Sequence, residues 1–386
     1  MSIQIADKLQ YSLSIAGEAS LLDAERTLIL NSRQSKTPTG SDAWVRKTIN
    51  AIRSTIDAGD PVIASIGLNT WELALWAVGE FGGNAIVVLP EPSHGSVNDE
   101  IGRISIDYNL HPDHHAWVFL PRTDTSRSIK SWWETRDGIA YELARRIIPV
   151  SIRPHGRLDG LIYGSESDKL IEEKFRTGYS NRAASTLNMD LPEECADYVH
   201  WNFITHWTCR CYGPWPGELS ADFYRDIASS TNGYPRSAGA TLKRILAERK
   251  LRSSGNHMRN GTSAVAFTAC EPSEALKLMK WRRRYVRPTF EPYGIAIHYR
   301  TALSRGLRPV TYVESGKEDH HSSTPEFMQG YGTGEWRNEK EWRAIGDVDL
   351  ASIPDDDLLV LVPRTSHAEE FQSLTNIRVE SLENRV

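Results

Sequence analysis

Three groups of residues have types and spacings that can do chemistry. The first is Glu335-Trp-Arg-Asn-Glu-Lys-Glu-Trp-Arg343, in which Glu339 and Glu341 stand two apart. In an extended strand such residues point to one face, so the carboxylates would lie side by side and raise each other's pKa. Trp336 and Trp342 would bound the pair, and Arg337 and Arg343 would supply countercharge. A chain has little structural reason to accept that repulsion unless a partner or a reaction uses it. The plain alternative is an edge strand whose charges discourage aggregation.

The second group is the stretch Tyr198–Gly217, with His206, Cys209 and Cys211, joined by Cys270 behind the Ala264–Thr268 segment. His206, Cys209, Cys211 and Cys270 are four soft ligands that suit zinc, although their spacing is not that of a finger or ribbon. A zinc-bound water with Glu339 or Glu341 as general base would make a hydrolase or hydratase acting on a nucleobase. Otherwise the cysteines are small buried hydrophobes. Trp207 and Trp215 can stack on a base or simply pack. The histidine pairs His114-His115 and His320-His321 read as solvated loop residues, and Trp44, Trp71 and Trp76 as core.

The third group lies at strand ends in the first half: Ser32, Arg33, Ser65, Gly67, Asn69 and Arg153. The elements that position them are apolar runs alternating with amphipathic helices. Arg26–Asn31, Pro61–Gly67, Asn84–Pro90, Ala116–Pro121 and Ile147–Arg153 read as strands; Asp42–Asp57, a stretch from Asn69, and Asp137–Arg146 read as helices. Residues 1–25 read as a helical lead-in. Strands apolar throughout and separated by helices imply a parallel sheet covered on both faces. Ligands of such sheets bind beyond the carboxyl ends of the strands, where glycines and helix amino termini can cradle phosphate. No Gly-x-Gly-x-x-Gly and no Gly-x-x-x-x-Gly-Lys is present.

At 386 residues the chain suggests two domains, and 40% hydrophobic with 25% charged residues is the balance of a globular protein. A net charge of −5 gives no whole-chain footprint for nucleic acid, though Trp281–Arg284 and Arg305–Arg308 are locally basic. The start of the chain lacks the pattern of a signal peptide, and no run approaches the roughly 18 apolar residues of a membrane span. With four cysteines in no disulfide framework, a cytoplasmic protein with reduced thiols is expected.

Residues 24–165 carry Asn31-Ser-Arg33, Ser65-Ile-Gly-Leu68, Gly82–Pro90 and Arg136-Asp137 in an order that resembles the Rossmann-like family of DNA-processing protein A and the LOG (SLOG) proteins. The resemblance implies a nucleotide, a phosphoribosyl group or single-stranded DNA at the strand-end rim, with Arg136 added to the candidates. The Pro-Gly-Gly-x-Gly-Thr-x-x-Glu signature of its phosphoribohydrolase branch is absent. In the second half, Ile204-Thr-His206, Ile245–Ser253, Val265–Thr268, Tyr293–Ile297, Pro309–Val313 and Glu339–Arg343 come in an order that resembles the AbiGi-antitoxin group of phage-resistance proteins and, more remotely, DarT-type ADP-ribosyltransferases. The transferase likeness implies roles. His206 would bond the nicotinamide-side ribose of NAD, Glu341 would stabilise an oxocarbenium-like centre, and Glu339 would orient or deprotonate the acceptor. Thr205 and Thr268, or a tyrosine such as Tyr299, would line the nucleotide pocket.

The expectation is therefore an α/β protein in three stretches. These are a Rossmann-like parallel-sheet domain over 1–165, a linker over 166–197, and an α+β mixed-sheet, ADP-ribosyltransferase-like domain over 198–386. It would be an enzyme of phage defence or DNA modification acting on a nucleotide or DNA, with NAD or zinc as cofactor and no membrane partner. The alternative is a nucleotide sensor or antitoxin without turnover.

Overall fold

The computed structural model describes residues 13–121, 129–164, 169–180, 191, 192, 194–196, 198, 200–255, 262–282, 287–314, 324–331 and 336–383. Glu335 and the pair His320-His321 lie outside them. The chain divides into two compact units, Met1–Ala183 with Gly213–Pro235, and Ala184–Tyr212 with Arg236–Val386.

The first unit is built on a seven-stranded sheet: β1 (Ser14–Gly17), β2 (Thr27–Asn31), β3 (Val62–Ala64), β4 (Ala85–Pro90), β5 (Ala116–Leu120), β6 (Arg146–Ser151) and β7 (Leu170–Ile171), in the order β1-β5-β4-β3-β2-β6-β7. From β2 to β7 every pairing is parallel. β2, β3 and β5 are buried at every position, as strands covered on both faces must be. Helices Ala43–Asp57, Asn69–Phe81 and Val97–Tyr108 pack one face, and Ile129–Leu143 and Arg157–Tyr163 the other. Trp44, Trp71 and Trp76 are core residues as expected.

Four expectations are corrected here. Over its described residues, from 13 on, the lead-in is not an α-helix: Ser14–Gly17 pairs antiparallel with β5 and a 3-10 turn, Ala19–Leu22, follows, while residues 1–12 lie outside the described residues. So short a segment ending in a left-handed glycine cannot offset the cost of helix nucleation. The expected linker is partly sheet, since β7 pairs with β6 and Phe175 is buried in the core. The helix Ser220–Ser229 belongs to the first unit: Phe223, Tyr224 and Ile227 enter its core, Tyr108 and Tyr224 stack, and Asp107 accepts from the amide and hydroxyl of Ser220 at 2.8 Å each. His115 is 2% exposed; its Nδ1 accepts from the Ala85 amide at 3.0 Å, and burial pushes its pKa down to about 4.

The second unit is an α+β fold on another seven-stranded sheet. Its strands run, in spatial order, Arg308–Pro309, Glu341–Ile345, Ala264–Thr268, Phe203–Trp207, Gly294–His298, Leu358–Val362 and Arg378–Ser381. All pairings are antiparallel except the last, which is parallel. Alternation sends Ile204, Phe267, Trp342 and Ile295 into a core covered by Ala238–Glu248 and Thr365–Gln372. Trp207, Ala296 and Leu359 go to the opposite core, under Pro272–Leu278. Among the described residues no helix is long and apolar enough to cross a membrane.

Candidate functional site in the second unit

The strand Phe203–Trp207 pairs with Gly294–His298 along its whole length, yet with Ala264–Thr268 only at Thr205 opposite Thr268. Beyond that pair the ladder opens, and the His206 ring reaches across so that Nδ1 lies 2.8 Å from the Ala266 carbonyl. A carbonyl only accepts, so Nδ1 carries the hydrogen and Nε2 of the neutral ring is an acceptor. Burial lowers the His206 pKa, with the Ala266 bond opposing, which keeps the ring neutral. Gly294, opposite Trp207, permits this packing: a Cβ there would stand 2.8 Å from the indole.

One cavity of about 600 Å³ takes in the opening. His206, Thr205, Thr268, Glu339 and Glu341 all line it, so the structure brings together the histidine and the twin acids that the sequence suggested. The register explains how: Thr205 faces Thr268, and Thr268 faces Glu341, across three neighbouring strands.

The acids are not arranged as one extended strand. Glu339 ends a 3-10 turn, Lys340 is left-handed with φ 43°, and Glu341 starts the strand. Two contacts fix this turn: the Thr268 hydroxyl donates to the Glu339 carbonyl at 2.5 Å, and Lys340 pairs with Glu274 at 2.7 Å. The carboxyls consequently differ in surroundings. Glu341 is held by Arg343, whose Nε lies at 2.8 Å and which is anchored on Gln329 Oε1 at 2.7 Å and the Glu326 carbonyl at 2.8 Å. Burial, and then the charge of Glu341, push Glu339 up to about 7, while Arg282 at 3.9 Å pulls the other way. Such unlike surroundings can divide acid–base from charge-stabilising work between two carboxyls.

Four guanidiniums line the cavity, those of Arg252, Arg282, Arg287 and Arg343. Arg282 and Arg287 stand directly opposite one another on a two-stranded ribbon, which puts two positive charges on the lining of the cavity. Trp207 and Phe290 stack at 6.4 Å and form an aromatic wall. Thr205 Oγ1 and Trp207 Nε1 are both buried without a hydrogen-bond partner in the chain, a state that a bound ligand or water would relieve. Sequence reasoning missed the three arginines outside the Glu-x-Glu stretch; the Arg282 run was visible but read only as a local charge.

The zinc set is not assembled. Among the described residues no group of three or more His, Cys, Asp or Glu side chains is placed to hold a metal ion. Cys209 donates to the Thr289 carbonyl at 3.4 Å, and burial, reinforced by Glu291, pushes its thiol up to about 12, the reverse of what a thiolate ligand needs. The loop after it is held by Arg210 on Glu291, with Nε at 2.9 Å. Cys270 is a core residue that donates to the Asn338 carbonyl at 3.2 Å, and Cys211 is tied through its amide to the Arg236 carbonyl. Tyr299 is also misplaced as a pocket residue, being exposed and edge-on to Trp342. A tyrosine that does lie beside the acids is Tyr312, whose hydroxyl accepts from the Glu341 amide at 3.2 Å.

The rim of the first unit has a different character. β2 and β6 are neighbours, β2 leads to β3 on one side and β6 lies on the other, so Ser32–Arg33 and Arg153 mark the topological switch point. There the Ser32 hydroxyl accepts from the Arg153 amide at 2.8 Å. Ser65 is fully buried and donates to the Val88 carbonyl at 2.7 Å. Gly67, at φ 95°, gives its amide to Glu72, whose other oxygen accepts from Tyr224 at 2.6 Å. Asn69 donates to the Ser35 carbonyl at 2.7 Å. Arg136, expected to face a nucleotide, is instead fully buried: it pairs with Asp137 at 2.8 Å, donates to the Ile66 carbonyl and lies over Trp71 at 4.5 Å. Of the side chains that the sequence suggested for this rim, those of Arg33 and Arg153 are exposed.

No protein-family model and no curated protein matches the chain. Solved structures that resemble it include DNA processing protein A from Helicobacter pylori, which binds single-stranded DNA, at 14% identity and TM-score 0.28 over 37% of this chain and 62% of that one. DNA processing protein A from Streptococcus pneumoniae follows at 16%, 0.28, 39% and 58%. The molybdenum cofactor carrier protein from Chlamydomonas reinhardtii follows at 15%, 0.25, 38% and 74%. This chain spans about three fifths of the length of the two DNA processing proteins.

Proposed function

We propose that the cavity of the second unit is the active site of an enzyme that acts on a phosphate-bearing nucleotide or nucleic acid at a glycosidic or base position. It would be of the DNA-modifying or phage-defence kind that the sequence resemblance implies. The observation that carries the reading is the unlike pair of carboxyls in one cavity with a neutral histidine. Glu341, clamped by Arg343, suits a developing cationic sugar carbon, while Glu339, pushed up to about 7, titrates where a proton donor or acceptor is useful. His206 Nε2 suits a ribose hydroxyl, Arg282 and Arg287 suit phosphate, and the Trp207–Phe290 wall suits a flat ring. NAD fits the same groups, with its pyrophosphate on the two arginines and a ribose on His206.

The first unit would hold nucleic acid along the switch-point rim, through the exposed Arg33 and Arg153 against phosphates. The test is release of nicotinamide from NAD, and of base from single-stranded oligonucleotides, by the purified chain and its Glu341→Gln variant. The expected result is turnover in the parent, reduced 10²–10³-fold or so in the variant while ligand affinity holds. Equal turnover in the two proteins contradicts an enzymatic role for this site.

A further inference from the structure

Thr205 is fully buried and Trp207 is 7% exposed, yet neither Thr205 Oγ1 nor Trp207 Nε1 has a hydrogen-bond partner among the described residues. Standing two apart on one strand, the two side chains leave the same face of the sheet, and both line the cavity. Gly294 shows which way their polar atoms turn. A Cβ built there would stand 3.1 Å from Thr205 Cγ2 and 2.8 Å from Trp207 Cε3. The threonine methyl and the Cε3 edge of the indole thus lie against the strand Gly294–His298. Oγ1 is the other branch at the threonine Cβ, and Nε1 sits on the opposite edge of the indole, so both turn away from that strand. On that other side the ladder to Ala264–Thr268 holds only where Thr205 meets Thr268, and the cavity takes in the opening.

A buried hydroxyl and a buried N–H without partners cost stability that valine and phenylalanine at the same positions would not. We propose that Thr205 and Trp207 determine the specificity of this cavity by reading the polar edge of a flat heteroaromatic ring, a nucleobase or a nicotinamide-type ring, seated beside the Trp207–Phe290 wall. Trp207 Nε1 can only donate, so the ring edge that meets it carries a carbonyl oxygen or an unprotonated ring nitrogen. The Thr205 hydroxyl both donates and accepts, and takes the neighbouring polar atom of that edge, whether N–H, amino or carbonyl. A ring edge without an acceptor leaves the indole N–H unpaired in the complex and is rejected. The hydrogen bonds missing from the free chain are made by the ligand. This inference rests on the cavity reading above and deepens it, by assigning the part of the ligand that the site tells apart.

The experiment measures binding of AMP, GMP, CMP, UMP and nicotinamide mononucleotide to the full chain, to Thr205→Val and to Trp207→Phe, with ribose 5-phosphate as the ligand that lacks an aromatic ring. Thr205→Val keeps the β-branched shape and removes only the hydroxyl. The expected result is that at least one mononucleotide binds the parent and loses about 5–30-fold of its affinity in each variant, while any binding of ribose 5-phosphate is the same in all three. Without ligand, the urea midpoint of Thr205→Val lies at or above that of the parent, the reverse of what a structural hydroxyl would give. A loss confined to nicotinamide mononucleotide assigns the site to that ring, and a loss confined to the others assigns it to a base. Unchanged mononucleotide affinity in either variant, an equal loss for ribose 5-phosphate, or a lowered midpoint in Thr205→Val overturns the inference and leaves the cavity reading standing. No binding of any mononucleotide to the parent overturns the cavity reading itself, and the inference with it.

Discussion

The rim of the first unit and the cavity of the second are both lined by polar residues of the kinds that bind nucleotides, yet the chain treats them oppositely. At the rim, Ser65, Glu72, Asn69 and Arg136 hydrogen-bond to other parts of the fold. In the cavity, Thr205 Oγ1 and Trp207 Nε1 have no partner, two arginines oppose each other, and two carboxyls share one space. The lesson is that residue type names a candidate, while the fate of its hydrogen bonds separates a scaffold from a site. Polar groups that hold a loop contribute stability; buried ones without a hydrogen bond lower it, and a ligand or water can supply the missing bond.

That contrast can be broken most severely at Arg136. Arg136→Ala empties a fully buried site and takes from Asp137 one of its two cations, Arg157 being the other, and should lower unfolding stability by about 2–5 kcal/mol, read as a large shift in urea midpoint; a loss within about 0.5 kcal/mol would return Arg136 to the ligand-facing groups. Glu341→Gln should do the reverse, costing about 3–4 kcal/mol of transition-state stabilisation with an unchanged midpoint. Tyr224→Phe removes one bond to Glu72 and should destabilise the first unit by about 1.5–3 kcal/mol, checked by amide exchange in the Gly67 loop.

The pH dependence sharpens the same comparison. Glu339 stays protonated to about pH 7 in the folded chain but only to about 4.5 when unfolded, so the folded state binds more protons between those values. Stability from this group is present below 4.5 and is lost as pH rises through 7. Glu339→Gln cannot ionise and should gain on the order of 1–3 kcal/mol over the parent above pH 7, with no gain at pH 4; a parallel offset at both pH values would show that Glu339 is an ordinary solvated carboxylate. The smallest effect is expected at Gly67→Ala, about 1–2 kcal/mol from the left-handed backbone alone, measured as a shift in Tm.

Much of this architecture is legible in the residues. The runs Thr27–Asn31, Ala85–Pro90 and Ala116–Leu120 are apolar at nearly every position, and that continuity is sufficient to place buried parallel strands. Period-two alternation in Phe203–Trp207 likewise separates Ile204 from Thr205 and Trp207. What alternation could not foretell is that His206 turns into a gap in the ladder, because that gap is made by a strand some sixty residues away. Nor could the Glu-x-Glu spacing reveal the left-handed Lys340 between the acids, since that turn is set by Thr268 and Glu274 from other elements. The return of Gly213–Pro235 to the first unit is equally hidden: its helix is amphipathic, but nothing local says which core its apolar face will join.

The most direct measurement is the affinity of ADP-ribose for the parent chain, for Arg282→Gln and for Arg33→Gln. If the cavity is the ligand site, the Arg282 change weakens binding by about tenfold or more and the Arg33 change leaves it untouched. Binding that follows Arg33 and ignores Arg282 would contradict the account.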